Sequence, residues 1–267
     1  MKAIRPVWEG YKTQIDEILV LNLRDRPDRY HAVRGALHAA GAPKNRIKRW
    51  EAIPASDYGN IETLVGEAVK DGFPEFETLF EGKNPGRLAK IGQFWSYCQM
   101  LRYIAERGIT AVILYDDRYI INWSQLAGTY MCMRNIEQYP NNDFKILQLE
   151  YYHDFMNRIV NIYTNPDTYA EPYPMIPFVL QGPLGASENA MLYRREGAKF
   201  FLEKLLTRFH DSIEVTLVRL MELPIEERRC IWTYNGPIVD TIPMGSNMYN
   251  PDTDFDRTDA LTIGGHV

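Results

Sequence analysis

The chain has 267 residues, of which 45% are hydrophobic and 24% are charged, and its formal net charge is −5. These values are typical of a globular protein with a substantial core, and they exclude wholesale disorder and a fibrous fold. The negative net charge argues against a protein that a broad positive field holds to nucleic acid or to a membrane. A local basic groove stays compatible with the composition.

The cysteines and the apolar segments indicate the cellular compartment in which the protein is expected. Cys98, Cys132 and Cys230 are far apart and odd in number, so they predict neither a metal motif nor a disulfide framework. The first residues contain no long apolar segment, and no apolar run in the sequence is long enough to span a bilayer. We therefore expect a soluble, cytoplasmic protein.

The chain opens with a predicted strand, a charged turn and a helix. Residues 18–23 form a short apolar run that is typical of a buried strand. Pro27 suits the first turn of a helix, and Gly41 suits its end. A second strand is predicted at 47–53, and residues 56–88 are predicted to be a long loop region with one short helix.

Helices and strands alternate in the rest of the chain. Apolar residues from 91 to 105 predict a helix that ends at Gly108, and residues 110–115 predict a buried strand. Further predictions are helices at 123–138 and 196–209, strands at 146–150, 190–193 and 238–242, and a loop at 165–185. This alternation predicts an α/β sandwich. We expect one domain over residues 1–245 and a polar tail over 246–267.

Two adjacent aspartates, Asp116 and Asp117, follow the predicted strand at 110–115. Carboxylates are costly to bury without partners, but at the end of a strand they can turn outward into a cleft. Carboxylate oxygens suit Mg²⁺ or Mn²⁺, and a metal ion there would neutralise a diphosphate leaving group. Ordinary turn carboxylates are the structural alternative.

Other polar residues mark the first strand–helix turn and the end of the long loop. Asn22 and Arg29 flank that turn, where an amide can bind a base or ribose and a guanidinium can bind phosphate. Lys83, Arg87 and Lys90 suggest a flap that faces phosphate. Solvent-exposed turn and surface residues are the alternative interpretation of both groups. The sequence shows no Walker loop, zinc box or serine-hydrolase motif.

Together these segments resemble glycosyltransferase family 25. The resemblance is carried in chain order by Asn22-Leu23 with Arg-Pro-Asp-Arg29, Trp50-Glu51-Ala52, Gly92-x-x-x-Ser96, Asp116-Asp117, and the segment from Gly185 to Ala198. It implies a GT-A-type, Rossmann-like sandwich with a mixed central sheet. It also implies transfer from a UDP-sugar to an acceptor hydroxyl with inversion at the anomeric carbon, as in lipopolysaccharide and collagen galactosyltransferases.

The resemblance also implies roles for individual residues. Asp117, together with Asp116, would hold Mn²⁺ or Mg²⁺, and Asp211 would be the general base, with Glu188 and Glu214 as competitors. The expected donor-binding residues are Asn22, Leu23, Arg29, Ala52, Gly92 and Ser96, of which Gly92 and Ser96 would shape the donor pocket.

Two residues depart from the family pattern. Tyr115 stands where the family usually has the first acid of Glu-Asp-Asp, and Tyr97 stands where it usually has histidine. These departures weaken the expected metal site and leave open a non-catalytic nucleotide-sugar-binding or scaffold protein.

The acceptor is also open. A glycan is the first expectation. The alternative is a hydroxylated base in viral DNA, which would need a basic groove and an aromatic side chain, Trp95 or Tyr97, against a flipped base. The candidate groove residues are Lys83, Arg87, Lys90, Arg102 and Arg107.

Overall fold

The computed structural model describes residues 15–73, 87–136, 144–150, 179–181, 187–209, 230–234 and 236–242, with isolated positions between 213 and 224. The elements, in chain order, are β1 (Glu17–Asn22), α1 (Pro27–Ala39), β2 (Ile47–Glu51), α2 (Ile61–Lys70), α3 (Arg87–Arg107), β3 (Ala111–Tyr115), β4 (Arg118–Ile120), α4 (Trp123–Ile136), β5 (Ile146–Gln148), β6 (Val179–Gln181), β7 (Ala190–Tyr193), α5 (Arg195–Glu203), β8 (Ile231–Tyr234) and β9 (Val239–Thr241). Short 3₁₀ turns cover Lys44–Arg46 and Ala55–Tyr58, and a π-helical segment, Lys204–Phe209, continues α5.

Seven of the strands form one mixed sheet in the order β2-β1-β3-β7-β5-β8-β6. Strands β2, β1 and β3 are parallel to one another, and β7 is antiparallel to both β3 and β5. Strand β8 runs parallel to β5, and β6 runs antiparallel to β8. The predicted α/β fold with a mixed central sheet is therefore confirmed.

Helices cover both faces of this sheet because successive strand residues point to opposite sides. Leu19 and Ile113 pack on one side with the apolar residues of α2, α3 and α5. Val20 and Val112 pack on the other side with those of α1 and α4. Buried strands with apolar residues on both faces are typical of sheets that helices enclose.

The helix ends follow their local sequence signals. Pro27 occupies the first turn of α1, where the missing N–H has no intrahelical partner to lose. Gly41 and Gly108 follow α1 and α3 with φ angles of 92° and 67°. Glycine adopts this left-handed conformation without the steric cost of a Cβ atom. These predicted boundaries are confirmed.

Several sequence predictions differ from the fold. The short helix predicted within the loop region at 56–88 exists as the ten-residue α2, whereas the loop predicted at 165–185 contains β6. Strands β4 and β8 were not predicted. The predicted strand at 238–242 exists as β9, but it pairs with β4 in a separate two-stranded sheet. The three strands that were missed, β4, β6 and β8, have only three or four residues each, so their sequences carry little periodicity.

The polar tail predicted at 246–267 lies outside the described residues, and the single domain over 1–245 stays a prediction. Within the part of the chain that the structure describes, no helix is long and apolar enough to cross a membrane.

Candidate active site

The strand directions bring polar residues from distant segments to one edge of the sheet. Strands β1, β2, β3, β5 and β8 all end at this edge, and the antiparallel strand β7 begins there. From β1 the chain passes to β2 on one side, and later to β3 on the other side. In open α/β sheets, the crevice at such a change of direction is the preferred place for a ligand.

The crevice between β1 and β3 holds Asn22, Arg29 and Asp116. Asn22 Nδ2 donates to Asp116 Oδ2 at 2.7 Å, and a guanidinium nitrogen of Arg29 donates to Asp116 Oδ1 at 3.2 Å. Both carboxylate oxygens of Asp116 therefore have protein partners. The three predicted residues come together, although they are separated by up to 94 positions in the sequence.

Burial dominates the electrostatics of Asp116. The side chains of Arg29 and Asp116 are only 9% and 13% exposed. Burial raises the pKa of Asp116 above its ordinary value of 3.8, and the hydrogen bond from Asn22 and the charge of Arg29 only partly offset this effect. Asp116 therefore belongs to an internal network that connects β3 to the first strand–helix turn.

Arg49 on β2 completes this network and was not predicted from the sequence. Its Nε donates to Asn22 Oδ1 at 2.7 Å, and its other guanidinium nitrogen donates to the carbonyl oxygens of Leu23 and Arg24. The Ala52 N–H donates to the Asn22 carbonyl at 2.9 Å. Leu23 and Ala52, both predicted donor-binding residues, thus lie at the edge of the crevice.

Asp117 faces a different set of partners. Its Oδ2 lies 2.7 Å from a guanidinium nitrogen of Arg118. The Nε of Arg118 in turn donates to Glu150, at 2.8 Å from Oε1 and 3.0 Å from Oε2. The Asp117 side chain is 34% exposed, whereas that of Arg118 is 11% exposed. Ser187 donates to Glu150 at 3.4 Å. Arg118 and Glu150 are further site residues that sequence reasoning missed.

Both carboxylates of the predicted metal site have protein partners, and the metal site stays a prediction. Asp116 is occupied by Asn22 and Arg29, and Asp117 is paired with Arg118. Among the described residues, no group of three or more histidine, cysteine, aspartate or glutamate side chains could hold a metal ion. A site for Mg²⁺ or Mn²⁺ needs carboxylate oxygens that face the ion.

Gly92 and Ser96 hold helix α3 close to the segment that follows β2. Ser96 accepts from the Ile53 N–H at 2.8 Å and donates to the Gly92 carbonyl at 2.6 Å. A Cβ atom at Gly92 would lie 2.9 Å from the Ile53 carbonyl oxygen, so a side chain there would push the helix away. The structure brings Gly92 and Ser96 together, and both lie against the backbone at Ile53.

A third group of polar side chains lies next to Asp116. The Tyr115 hydroxyl donates to Glu188 Oε1 at 3.1 Å, and Gln93 Nε2 lies 2.5 Å from that hydroxyl and 3.3 Å from Glu188 Oε1. The ring of Tyr97 meets the ring of Tyr115 edge to face, with centroids 6.4 Å apart. Tyr97 and Tyr115 are therefore neighbours, and Glu188 contacts both.

Other predicted residues lie outside this site or outside the described residues. Asp211, Glu214 and Lys83 are not described, nor is the side chain of Arg87. The predicted general base therefore stays a prediction.

The described residues give no support to a DNA-binding groove. Lys90 and Arg107 lie near opposite ends of α3, about 25 Å apart along the helix axis. Arg102 stacks on Phe73 and donates to the Asp71 backbone. The side chains proposed to stack on a flipped base, Trp95 and Tyr97, are 5% and 0% exposed.

Comparisons with known proteins give weak similarities. No protein-family model matches the chain, and no curated protein matches it. Among solved structures, the chain is similar to apo mouse xyloside xylosyltransferase 1, with 12% identity and a TM-score of 0.39, over 80% of this chain and 76% of that chain. It is also similar to an active-site mutant of LgtC, with 10% identity and a TM-score of 0.33, over 83% of this chain and 88% of that chain.

Proposed function

We propose that the chain is a glycosyltransferase of the GT-A type that transfers a sugar from a nucleotide-sugar, of which a UDP-sugar is the first expectation, to a hydroxyl group of a glycan. The observation that carries this proposal is the position of Asp117 and Arg118. They follow β3 at the edge of the crevice between β1 and β3, where a ligand of an α/β sheet is expected.

Arg118 is suited to the diphosphate of such a donor. A guanidinium group donates charge-assisted hydrogen bonds to phosphate oxygens, and such bonds are stronger where water is largely excluded. Glu150 and Asp117 hold the Arg118 side chain from two sides and so restrict its orientation. The Arg118 guanidinium, although Asp117 and Glu150 flank it, is the cationic group that would face the charge developing on the leaving nucleoside diphosphate.

The proposed reaction is a single displacement. The acceptor hydroxyl gives its proton to a carboxylate, and its oxygen forms a bond to the anomeric carbon. At the same time the bond from that carbon to the diphosphate oxygen breaks, and the nucleoside diphosphate leaves with the electron pair. Asp211 is the base that the family resemblance implies. The buried Glu188 is hydrogen-bonded to Tyr115 and Gln93, which favours a positioning role.

The test is a screen of UDP-, GDP- and CMP-sugars for nucleotide release and for a thermal shift of the protein. We expect release with one nucleotide class. Asp117→Ala should abolish it, while the unfolding temperature changes little because the Asp117–Arg118 pair is partly exposed. Asp57→Ala is the matched control, because Asp57 pairs with Arg24 on the surface at 3.3 Å.

The outcomes separate the alternatives. Release that depends on Asp117 but not on Asp57 supports a glycosyltransferase. A thermal shift with a nucleotide-sugar but no release, even with glycan acceptors, would indicate a binding or scaffold protein. Full activity in Asp117→Ala would contradict the role of Asp117.

A further inference from the structure

Three polar side chains from separate elements meet beside the proposed diphosphate position. Gln93 comes from α3, Tyr115 ends β3, and Glu188 lies two residues before β7. Tyr115 and Glu188 are 73 residues apart in the sequence, yet the phenol hydroxyl and the carboxylate are hydrogen-bonded at 3.1 Å. Gln93 approaches both groups, at 2.5 and 3.3 Å.

The pairing of β3 with β7 creates this arrangement. Leu114 pairs with Ala190, and the Tyr115 N–H donates to the Asn189 carbonyl at 2.9 Å, which brings Glu188 to the end of β3. On the other side, the buried Tyr97 hydroxyl lies 3.5 Å from the Glu188 carbonyl oxygen. The segment that carries Glu188 is therefore held from two directions.

Burial makes the Glu188 carboxylate unusual as a purely structural group. Glu188 is 4% exposed, and a buried carboxylate lowers the stability of a protein unless its hydrogen bonds compensate. Tyr115 and Gln93, whose side chains bond this carboxylate, are both partly exposed. Glu188 thus fixes the orientation of two partly exposed polar side chains.

The chemistry of these groups selects a polyhydroxylated ligand. The phenol and the amide offer both donors and acceptors, which is what the hydroxyl groups of a sugar require. The negative charge of Glu188 disfavours a phosphate at the same position. Tyr115 directly precedes Asp116 and Asp117, so a group bound here lies beside the proposed diphosphate position.

From these contacts we infer that Gln93, Tyr115 and Glu188 form a recognition subsite for a hydroxyl group of the transferred sugar. Tyr115 and Gln93 contact the sugar, and Glu188 is the positioning residue. This inference rests on the proposed function. It assigns a role to Tyr115, the residue that replaces the expected acid, because the Glu188 carboxylate reaches its side chain from the segment that precedes β7.

The experiment compares donor sugars in three variants. Initial rates of nucleotide release are measured with UDP-glucose, UDP-galactose and their N-acetyl counterparts, and the Kd of UDP alone is measured in parallel. The variants are Tyr115→Phe, Glu188→Gln and, as a matched control, Tyr119→Phe, because Tyr119 is a nearby tyrosine on β4 whose hydroxyl bonds Asp240 on the surface. If the donor screen identifies another nucleotide, the matching sugar series replaces the UDP-sugars.

We expect Tyr115→Phe and Glu188→Gln to reduce the preference for the best sugar over its epimer by about tenfold or more, since the first removes a hydrogen bond and the second removes the negative charge that strengthens it. The Kd of the nucleotide alone should change by less than about twofold. Tyr119→Phe should leave both quantities unchanged. A structural role alone would lower the rates with all sugars equally and leave their ratio intact.

Two results would overturn the inference, and they are distinguishable. Unchanged sugar preference in Tyr115→Phe, with nucleotide binding intact, overturns the subsite but not the proposed function. Failure of the unaltered chain to bind any nucleotide overturns the proposed function and the subsite with it. If Glu188→Gln does not fold, Tyr115→Phe still decides the question, because it removes one hydroxyl and keeps the ring.

Discussion

The guanidinium group of Arg29 lies 3.2 Å from Asp116 Oδ1, and the two side chains are 9% and 13% exposed. This buried pair joins the first helix, α1, to the end of β3 across the crevice. Arg29 and Asp116, which the sequence suggested as ligand contacts, are therefore also part of the framework around the site.

Removing one partner of this pair should strongly destabilise the fold. Arg29→Met leaves the Asp116 charge without its guanidinium partner, and Asp116→Leu leaves Arg29 without its carboxylate partner, so each should lower the free energy of unfolding by about 3–5 kcal/mol. The double variant should be less destabilised than the sum of the two. Urea unfolding of all four proteins measures the coupling. Strict additivity would show that the two charges do not interact.

The raised pKa of Asp116 predicts a pH dependence of stability. A group whose folded-state pKa is raised binds more protons in the native state than in the unfolded state. The contribution of Asp116 to the free energy of unfolding is therefore fully present below its ordinary pKa of 3.8, and it is lost as the pH rises through the folded-state pKa. The free energy of unfolding of the unaltered chain, relative to Asp116→Asn, should therefore fall as the pH rises above 3.8.

Asp28 offers a control with the opposite sign. The hydrogen bond from Arg26 lowers the pKa of this exposed carboxyl group. The contribution of Asp28 to the free energy of unfolding should therefore be present above its ordinary pKa and decrease as the pH falls. Urea unfolding of Asp28→Asn and Asp116→Asn across the acid range should give opposite slopes relative to the unaltered chain. Parallel slopes would contradict the assignment for Asp116.

Three glycines should respond differently to the same substitution. A Cβ atom at Gly197 would clash with the backbone of Lys145, and one at Gly92 would lie 2.9 Å from the Ile53 carbonyl oxygen. Overpacking of this kind costs about 1–3 kcal/mol. At Gly66 in α2, an added Cβ meets no atom within 4 Å, so Gly66→Ala should stabilise the helix by about 0.5–1 kcal/mol.

Denaturant unfolding of the three alanine variants checks this order. Gly92→Ala also tests whether the close approach of α3 matters for ligand binding, when nucleotide affinity is measured on the same samples. Equal stability of Gly92→Ala and Gly66→Ala would show that α3 does not need its close contact with the Ile53 backbone.

Only one of the three cysteines should react readily in the native protein. Cys132 is exposed, whereas Cys98 and Cys230 are buried, and burial raises the pKa of the Cys98 thiol. Titration with Ellman's reagent should give one fast thiol in the folded chain and three after denaturation. Cys132→Ser should remove the fast reaction. A fast reaction that survives in this variant would place a second thiol at the surface.

Local sequence patterns predicted much of the framework correctly. The apolar run before Asp116, the proline at the start of α1 and the glycines after α1 and α3 act through nearest neighbours in the chain. They therefore determined the main helices and the position of the two aspartates at the end of β3. The short strands β4, β6 and β8 depend on pairing with distant segments, which local periodicity does not encode.

The sequence by itself determined that Asp116 and Asp117 stand together at the end of a buried strand. Only the tertiary structure decided that Asp116 is buried against Asn22 and Arg29 while Asp117 reaches the surface beside Arg118. Adjacent residues at a strand end can face different surroundings, and those surroundings are formed by segments that are distant in sequence. The same reason explains Glu188, which the pairing of β3 with β7 brings to Tyr115.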